Sequence, residues 1–117
     1  MAGKRKSITP TPPTFREYRV YLGVPERKED AQDIPNIIEA FEKAVVEEYG
    51  GFTYYSAVGS WGGEYEKSIT YSIITEKSST RLFSLLKLLQ EELKQRAILV
   101  TGHPVAVLWL GNSKAKV

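Results

Sequence analysis

The stretch "GFTYYSAVGSWGGEYEKSITYSIIT", residues 51–75, decides the fold. Residues 52–58 and 67–75 are rich in aromatic and β-branched side chains, which predicts two strands. The join between them, residues 59–66, contains three glycines and Trp61. Glycine adopts the positive φ that a hairpin turn or a wide turn requires. The pattern therefore predicts two neighbouring strands joined by a glycine-rich connection.

On the N-terminal side, alternating residues predict a strand over 18–24, and a helix over 34–49 follows it. Asp33 is the expected N-cap of that helix. Its apolar residues recur at helical spacing and share one face: Ile34, Ile37, Ile38, Phe41, Ala44 and Val45.

On the C-terminal side, a second helix is expected to begin with Ser79 or Thr80 as N-cap and to end near Gln95. An apolar stripe marks its buried face: Leu82, Leu86, Leu89 and Leu93. Beyond it, residues 97–101 and 105–110 are apolar, and residues 102–104 (Gly-His-Pro) predict a break between them.

The resulting order, β-α-β-β-α-β, predicts an α+β ferredoxin-like sandwich in which two helices cover one face of an antiparallel sheet. Residues 105–110 are expected to form either the second part of a split last strand or a short fifth strand. A single domain over residues 15–111 is expected between a disordered basic, proline-rich tail, residues 1–14, and a second tail, residues 112–117. Since the other sheet face is left open, a second copy of the chain is expected to cover it in a homodimer.

Composition narrows the classes of function. The chain has 117 residues and no cysteine, which excludes disulfides, thiolate metal ligands and a cysteine nucleophile. No apolar run approaches the roughly 20 residues of a membrane helix, and the basic N-terminus leads into proline-rich sequence. A cytoplasmic protein is expected.

The charge distribution argues against a nucleic-acid-binding domain. The formal net charge is +2, but five of the 16 basic residues lie in the terminal tails: Lys4, Arg5, Lys6, Lys114 and Lys116. Subtracting them leaves 11 basic and 14 acidic residues, or about −3 for the domain. Nucleic-acid-binding domains instead concentrate positive charge on their folded surface.

The residues Gly51, Thr53, Gly59 and Trp61, with Glu66 and Ser68, form a G-x-T…G-x-W…E-x-S pattern, and Gln95 begins a "QRAILV" segment. Over residues 18–110 this pattern resembles an uncharacterised bacterial family of small ferredoxin-like proteins, many of which look like exported lipoproteins. This chain has no cysteine for a lipobox. The resemblance implies the ferredoxin-like fold, no assigned activity, and a role for Trp61 and Glu66 beyond the turn.

The first functional hypothesis is a non-catalytic ligand-binding or regulatory module that needs no metal or cofactor. Its site is expected around residues 59–66, near a subunit interface. The candidate ligand-binding residues are Trp61, Gly62, Gly63, Glu66, Tyr21 and His103. The structural alternative is a plain hairpin whose Trp packs on the core, with His103 as a turn residue.

Two further hypotheses stay open. One is a small dimeric α+β-barrel-type enzyme acting on a small molecule, with Glu66, His103 and a tyrosine in its pocket. The other is RNA or single-stranded nucleic-acid binding through sheet tyrosines and the basic tails. "RVYLGV" resembles the first-strand motif of RNA-recognition domains and would make Tyr21 the stacking residue. The basic-Gly-aromatic signature of their third strand is absent from "KSITYSIIT".

Overall fold

The computed structural model describes residues 14–24 and 33–111. Their elements follow the expected order: β1 (Phe15–Gly23), α1 (Asp33–Tyr49), β2 (Thr53–Trp61), β3 (Glu64–Thr75), α2 (Thr80–Glu92) and β4 (Leu99–Val105). The expected tails, residues 1–14 and 112–117, fall outside the described residues except for residue 14.

One four-stranded sheet has the order β2-β3-β1-β4, and every neighbouring pair is antiparallel. The two central strands are β1 and β3, while β2 and β4 form the edges. This topology confirms the ferredoxin-like α+β fold. The order of the strands is dictated by the two β-α-β connections, which bring β1 between β3 and β4.

Both helices pack on the same face of the sheet. The centre of that face is contributed by Val20 and Leu22 of β1 and by Tyr71 and Ile73 of β3, all at most 1% exposed. The helices cover them with the apolar stripes expected from the sequence: Ile34, Phe41 and Val45 of α1, and Leu82, Leu85, Leu86, Leu89 and Leu93 next to and within α2. The helix periodicity therefore predicts the core well.

Tyrosine hydroxyls connect β3 to α1 at one point and α1 to the start of α2 at another. The Tyr71 hydroxyl donates a 2.7 Å hydrogen bond to Oε2 of Glu42 on α1. The Tyr49 hydroxyl, at the end of α1, accepts the Leu82 backbone N–H at 2.8 Å and donates to the Ser78 carbonyl at 3.0 Å. Because Leu82 lies in the first turn of α2, Tyr49 satisfies one of the N–H groups that a helix start leaves without a partner.

Helix α2 begins after the expected N-cap, Ser79, but it ends earlier than predicted. Ser79 stands at the N-cap position but makes no side-chain cap hydrogen bond; the Ser78 hydroxyl accepts the Thr80 N–H instead, at 3.1 Å. The helix ends at Glu92, three residues before Gln95, because Lys94 takes a φ of 54°. A residue in the left-handed conformation ends a helix, and this residue is usually glycine. A lysine at this position therefore does not indicate the end of the helix in the sequence.

The predicted break at residues 102–104 is wrong, since Gly102, His103 and Pro104 all lie within β4. Proline is tolerated because β4 is an edge strand, which pairs on one side only. The short fifth strand predicted for residues 105–110 does not form in the single chain: β4 ends at Val105, and residues 106–110 have no regular structure.

Candidate functional site

Strand alternation places a set of polar and aromatic side chains on the sheet face that points away from the helices, which we call the open face. Since Val20 and Leu22 point into the core, Glu17, Arg19 and Tyr21 point to the open face. The strand pairing then assigns the neighbouring residues of the other three strands to the same face.

A row of aromatic and apolar side chains crosses the middle of the open face. Tyr21 of β1 is paired with Thr70 of β3 on one side and with Leu99 of β4 on the other, and Thr70 is paired with Tyr55 of β2. We call Tyr21, Thr70 and Tyr55 the tyrosine row. Thr70 is only 2% exposed between its two neighbours, whereas Tyr55 is 49% exposed. The row therefore presents aromatic surface that no other described element covers.

On one side of this row lies a polar group of four residues, the Glu17 cluster, formed by Glu17, Arg19, Ser72 and His103. The Ser72 hydroxyl donates a hydrogen bond to Oε2 of Glu17. The Arg19 Nε atom lies 3.3 Å from the same oxygen, and the His103 Nε2 atom lies 3.1 Å from Oε1. Both carboxylate oxygens are therefore held, and the Glu17 side chain is only 13% exposed.

The cluster favours the ionised form of Glu17. The hydrogen bond from Ser72 lowers the pKa of this carboxyl, partial burial opposes that change, and the hydrogen bond and charge of Arg19 lower the pKa further. Arg19 in turn has a raised pKa, because Glu17 accepts its hydrogen bond and carries the opposite charge, and hydrogen bonding with Tyr21 makes a smaller contribution to the same change. Arg19 thus connects the Glu17 cluster to the tyrosine row.

On the other side of the row, Glu66 extends over β1. A Cβ atom added to Gly23 would overlap the Glu66 carboxylate, so this carboxylate occupies the space that any other residue at Gly23 would fill. Gly23 follows Tyr21 by two residues on the same face of β1. The pairing partner of Glu66 on β2 is Gly59, which also lacks a side chain. The carboxylate therefore lies over the backbone of Gly23, two residues along β1 from Tyr21.

The glycine-rich connection is shorter than predicted. The strands β2 and β3 continue through residues 59–61 and 64–66, and only Gly62 and Gly63 lie between the paired residues Trp61 and Glu64. Their φ angles, 59° and 87°, are the two positive values that a type I′ turn requires. Residues 59–66 are therefore the end of a long two-stranded hairpin and not a wide loop.

The structure separates the six predicted site residues into groups. Tyr21 and Glu66 lie close together on the open face. His103 lies on the same face, but four residues along β4 from the partner of Tyr21, or about 13 Å away. The backbone of Trp61, Gly62 and Gly63 is at the hairpin tip, six or more residues from Tyr55 and so about 20 Å from the tyrosine row.

His103 is not a turn residue, as the structural alternative assumed, but a strand residue paired with Glu17. The sequence interpretation also missed Glu17, Arg19, Ser72 and Tyr55. The available signal was the alternation of "FREYRVYLG": a strand that begins at Phe15 instead of Tyr18 places Glu17 and Arg19 on the face of Tyr21. Ser72 carried no such signal, because its role depends on pairing with a strand 55 residues away along the chain.

A groove of about 350 Å³ lies apart from the open face. It is lined by residues of α1 and by the residue before β2: Glu39, Glu42, Lys43, Val46, Glu47 and Phe52. It contains none of the six predicted residues. Within the described ranges, no group of three or more His, Asp or Glu side chains is placed to hold a metal ion. Neither described helix is long and apolar enough to cross a membrane.

No protein-family model matches the chain, and no curated protein matches it. Solved structures do share its fold. A phage SAM lyase in complex with S-methyl-5′-thioadenosine is 17% identical, with a TM-score of 0.52 over 88% of this chain and 97% of that one. A DUF3240 family protein from Shewanella baltica OS155 is 14% identical, with a TM-score of 0.53 over 83% of this chain and 97% of that one. Identities this low show a common fold and not a common activity.

Proposed function

We propose that the chain is a cytoplasmic small-molecule-binding module whose ligand lies on the open face, over Tyr21 and against Glu66. The observation that carries this proposal is the Glu66 carboxylate, which extends over Gly23 beside the tyrosine row. The hypothesis still includes the four other predicted residues. The backbone of Trp61, Gly62 and Gly63 is at the tip of the β2–β3 hairpin, and His103 is on β4. A homodimer in which a second copy closes the site is part of the same proposal.

The chemistry of the face indicates the class of ligand. Tyrosine rings offer flat apolar surface for a planar group, and their faces attract a cation. The Glu66 carboxylate supplies the matching negative charge. On the far side of Tyr21, Arg19 is 44% exposed and offers N–H donors to a polar or anionic group. A small molecule with a planar ring and a cationic centre fits these three features together.

The binding experiment uses S-adenosylmethionine as the probe, because it combines a planar adenine with a sulfonium cation. Calorimetric titration is expected to show binding to the wild type and a loss of at least tenfold in affinity in Glu66→Gln, corresponding to about 1.4 kcal/mol. Glu91→Gln, an exposed carboxylate on α2, is the control and is expected to bind as the wild type does. Equal affinity in all three proteins, or no binding to any, would reject the proposed ligand class.

A second candidate function is an enzyme acting on a small molecule of the same class. It is supported by the contact between His103 and Glu17, an imidazole and a carboxylate within 3.1 Å, which is an arrangement that can transfer protons. The fold shared with a phage SAM lyase is compatible with this candidate. Incubation with S-adenosylmethionine, followed by mass spectrometry for S-methyl-5′-thioadenosine, separates the two. Product that accumulates with the wild type and not with Glu66→Gln favours the enzyme; unchanged S-adenosylmethionine favours the binding module.

A further inference from the structure

The segment that follows β4 is apolar and exposed. Val105 ends β4, and residues 106–110, Ala-Val-Leu-Trp-Leu, contain no charged or polar side chain apart from the indole N–H of Trp109. Leu108 is 94% exposed, and Leu110 is fully exposed. Exposed apolar side chains are unfavourable in water by the hydrophobic effect, so a partner surface that covers Leu108, Trp109 and Leu110 would be strongly favoured.

The opposite edge of the sheet has the complementary property. Strand β2 is nine residues long, "TYYSAVGSW", and carries no charged residue. Edge strands in monomeric proteins are usually short or protected by charges, because their unpaired N–H and C=O groups accept another strand. Along β2, Tyr54 is 56% exposed and Val58 is 71% exposed, in addition to the exposed Tyr55. The edge therefore offers both free backbone groups and apolar side chains.

The two elements cannot pair within one chain. They lie at opposite edges of a four-stranded sheet, with β3 and β1 between them. Three strand spacings separate β4 from β2, and a fourth is needed to reach the outer side of β2, about 19 Å in all. The five residues 106–110, fully extended, span at most about 18 Å, so the segment cannot reach the outer side of β2 in its own chain and form a ladder there.

We propose that residues 106–110 of one copy add as a strand to the β2 edge of a second copy. The contact is an edge-strand addition, in which the backbone provides the hydrogen bonds and alternate apolar side chains provide the packing. It joins two different surfaces and is therefore heterologous, so each copy both donates a segment and accepts one. The inference rests on the edge strand and the exposed segment and not on the proposed ligand.

The absence of cysteine from the chain permits a direct test. Ser56 lies at the exposed middle of β2. In the double variant Ser56→Cys/Leu108→Cys, a short bismaleimide is expected to join copies into covalent oligomers. A mixture of the two single variants is expected to give cross-linked pairs, whereas Leu108→Cys alone gives none. The control Ser84→Cys/Leu108→Cys, with its first cysteine on exposed α2, is expected to stay uncrosslinked.

A second measurement keeps the test independent of the choice of cross-linked positions. Native mass spectrometry of the full chain is expected to show an oligomer that contains fewer copies in Leu108→Glu/Leu110→Glu. Because both leucines are exposed in the single chain, these changes leave the monomer folded, which circular dichroism checks. Leu88→Glu, at a 53% exposed position on α2, is the control and keeps the oligomer. A monomeric wild type, or the same number of copies before and after the double substitution, would overturn the proposal whatever the ligand result.

Discussion

The Nε2 atom of His103 on β4 lies 3.1 Å from Oε1 of Glu17 on β1, across a directly paired position of the two strands. This contact, together with the hydrogen bond from Ser72, holds a carboxylate in a fixed position on the open face. Fixed polar groups reduce the ordering cost of binding, because their geometry is already set before a ligand arrives. The Glu17 cluster is therefore the part of the open face whose electrostatics can be tested without a ligand.

Replacing Ser72 with alanine is expected to raise the pKa of the Glu17 carboxyl toward its ordinary value of about 4.3. The hydrogen bond from Ser72 is the largest cause of the lowered pKa, so its removal has the largest effect of any single substitution in the cluster. The measurement is an NMR titration of the Glu17 side-chain carboxyl carbon in wild type and variant. Ser84→Ala, at an exposed serine on α2, is the control. A pKa that is the same in Ser72→Ala and in the wild type would contradict the assignment.

Glu17 is expected to make stability depend on pH. Its folded pKa is lowered, so the ionised carboxylate stabilises the folded chain at pH values above the unfolded pKa of about 4.3, and this contribution is lost as the pH falls through the folded pKa. We expect Glu17→Gln to reduce the free energy of unfolding by roughly 1–2 kcal/mol near neutral pH, and by progressively less in acid.

Urea unfolding at pH 7 and at several lower pH values measures this difference. Glu91→Gln serves as the control and is expected to change the free energy of unfolding by less than about 0.5 kcal/mol at every pH. A Glu17→Gln variant whose loss of stability stays constant with pH would show that the carboxylate is not held as described.

The hydrogen bond between Tyr71 and Glu42 is expected to contribute to the stability of the sheet–helix packing. Tyr71 is 1% exposed, and its hydroxyl donates to Glu42 at 2.7 Å. Tyr71→Phe keeps the ring and removes this bond, which is expected to lower the free energy of unfolding by about 1 kcal/mol. Tyr65→Phe, at an 83% exposed tyrosine, is the matched control in the same unfolding experiment. Equal stability of both variants would mean that the buried bond contributes nothing net.

The hairpin turn gives a prediction that distinguishes its two glycines. Asn-Gly is a favoured pair for a type I′ turn, so Gly62→Asn is expected to keep the stability within about 0.5 kcal/mol of the wild type. Gly63 has a φ of 87°, and a β-branched side chain in a left-handed conformation is strained, so Gly63→Val is expected to cost at least about 1 kcal/mol. Thermal unfolding of the two variants measures this. Equal loss in both would contradict the turn geometry.

Local patterns explain why most of the fold is predictable. The alternation of Val20 and Leu22 and the helical spacing of the leucines in α2 identify the buried faces, because burial imposes those periods. The extension of β2 to Trp61 and of β3 back to Glu64 was not predictable in the same way. Residues 59–66 contain few strand-forming side chains, and their strand conformation depends on hydrogen bonds between the two strands. Pro104 likewise predicts a break because proline is excluded from strands that are paired on both sides. The sequence alone does not show that β4 lies at the edge of the sheet, where proline is tolerated.

The site was less predictable than the fold. Tyr21, Glu66 and His103 were recognised from the sequence, and all three are on the open face. Glu17 and Ser72 were not recognised, because their contact depends on which strands are neighbours and in which register. The likeness to a bacterial family with the G-x-T…G-x-W…E-x-S pattern stays a prediction.

The most direct test of the central claim, a ligand beside Glu66 on the open face, is native mass spectrometry of protein purified gently from one expression host. Gly23→Ala forces the Glu66 carboxylate to move, because the added methyl occupies its space, while the flexible end of that side chain limits the cost to the fold. Gly51→Ala adds the same methyl where no atom lies within 4 Å. We predict a retained small molecule on the wild type and on Gly51→Ala, and its loss from Gly23→Ala. No added mass on any of the three proteins, or the same added mass on all of them, would contradict the claim.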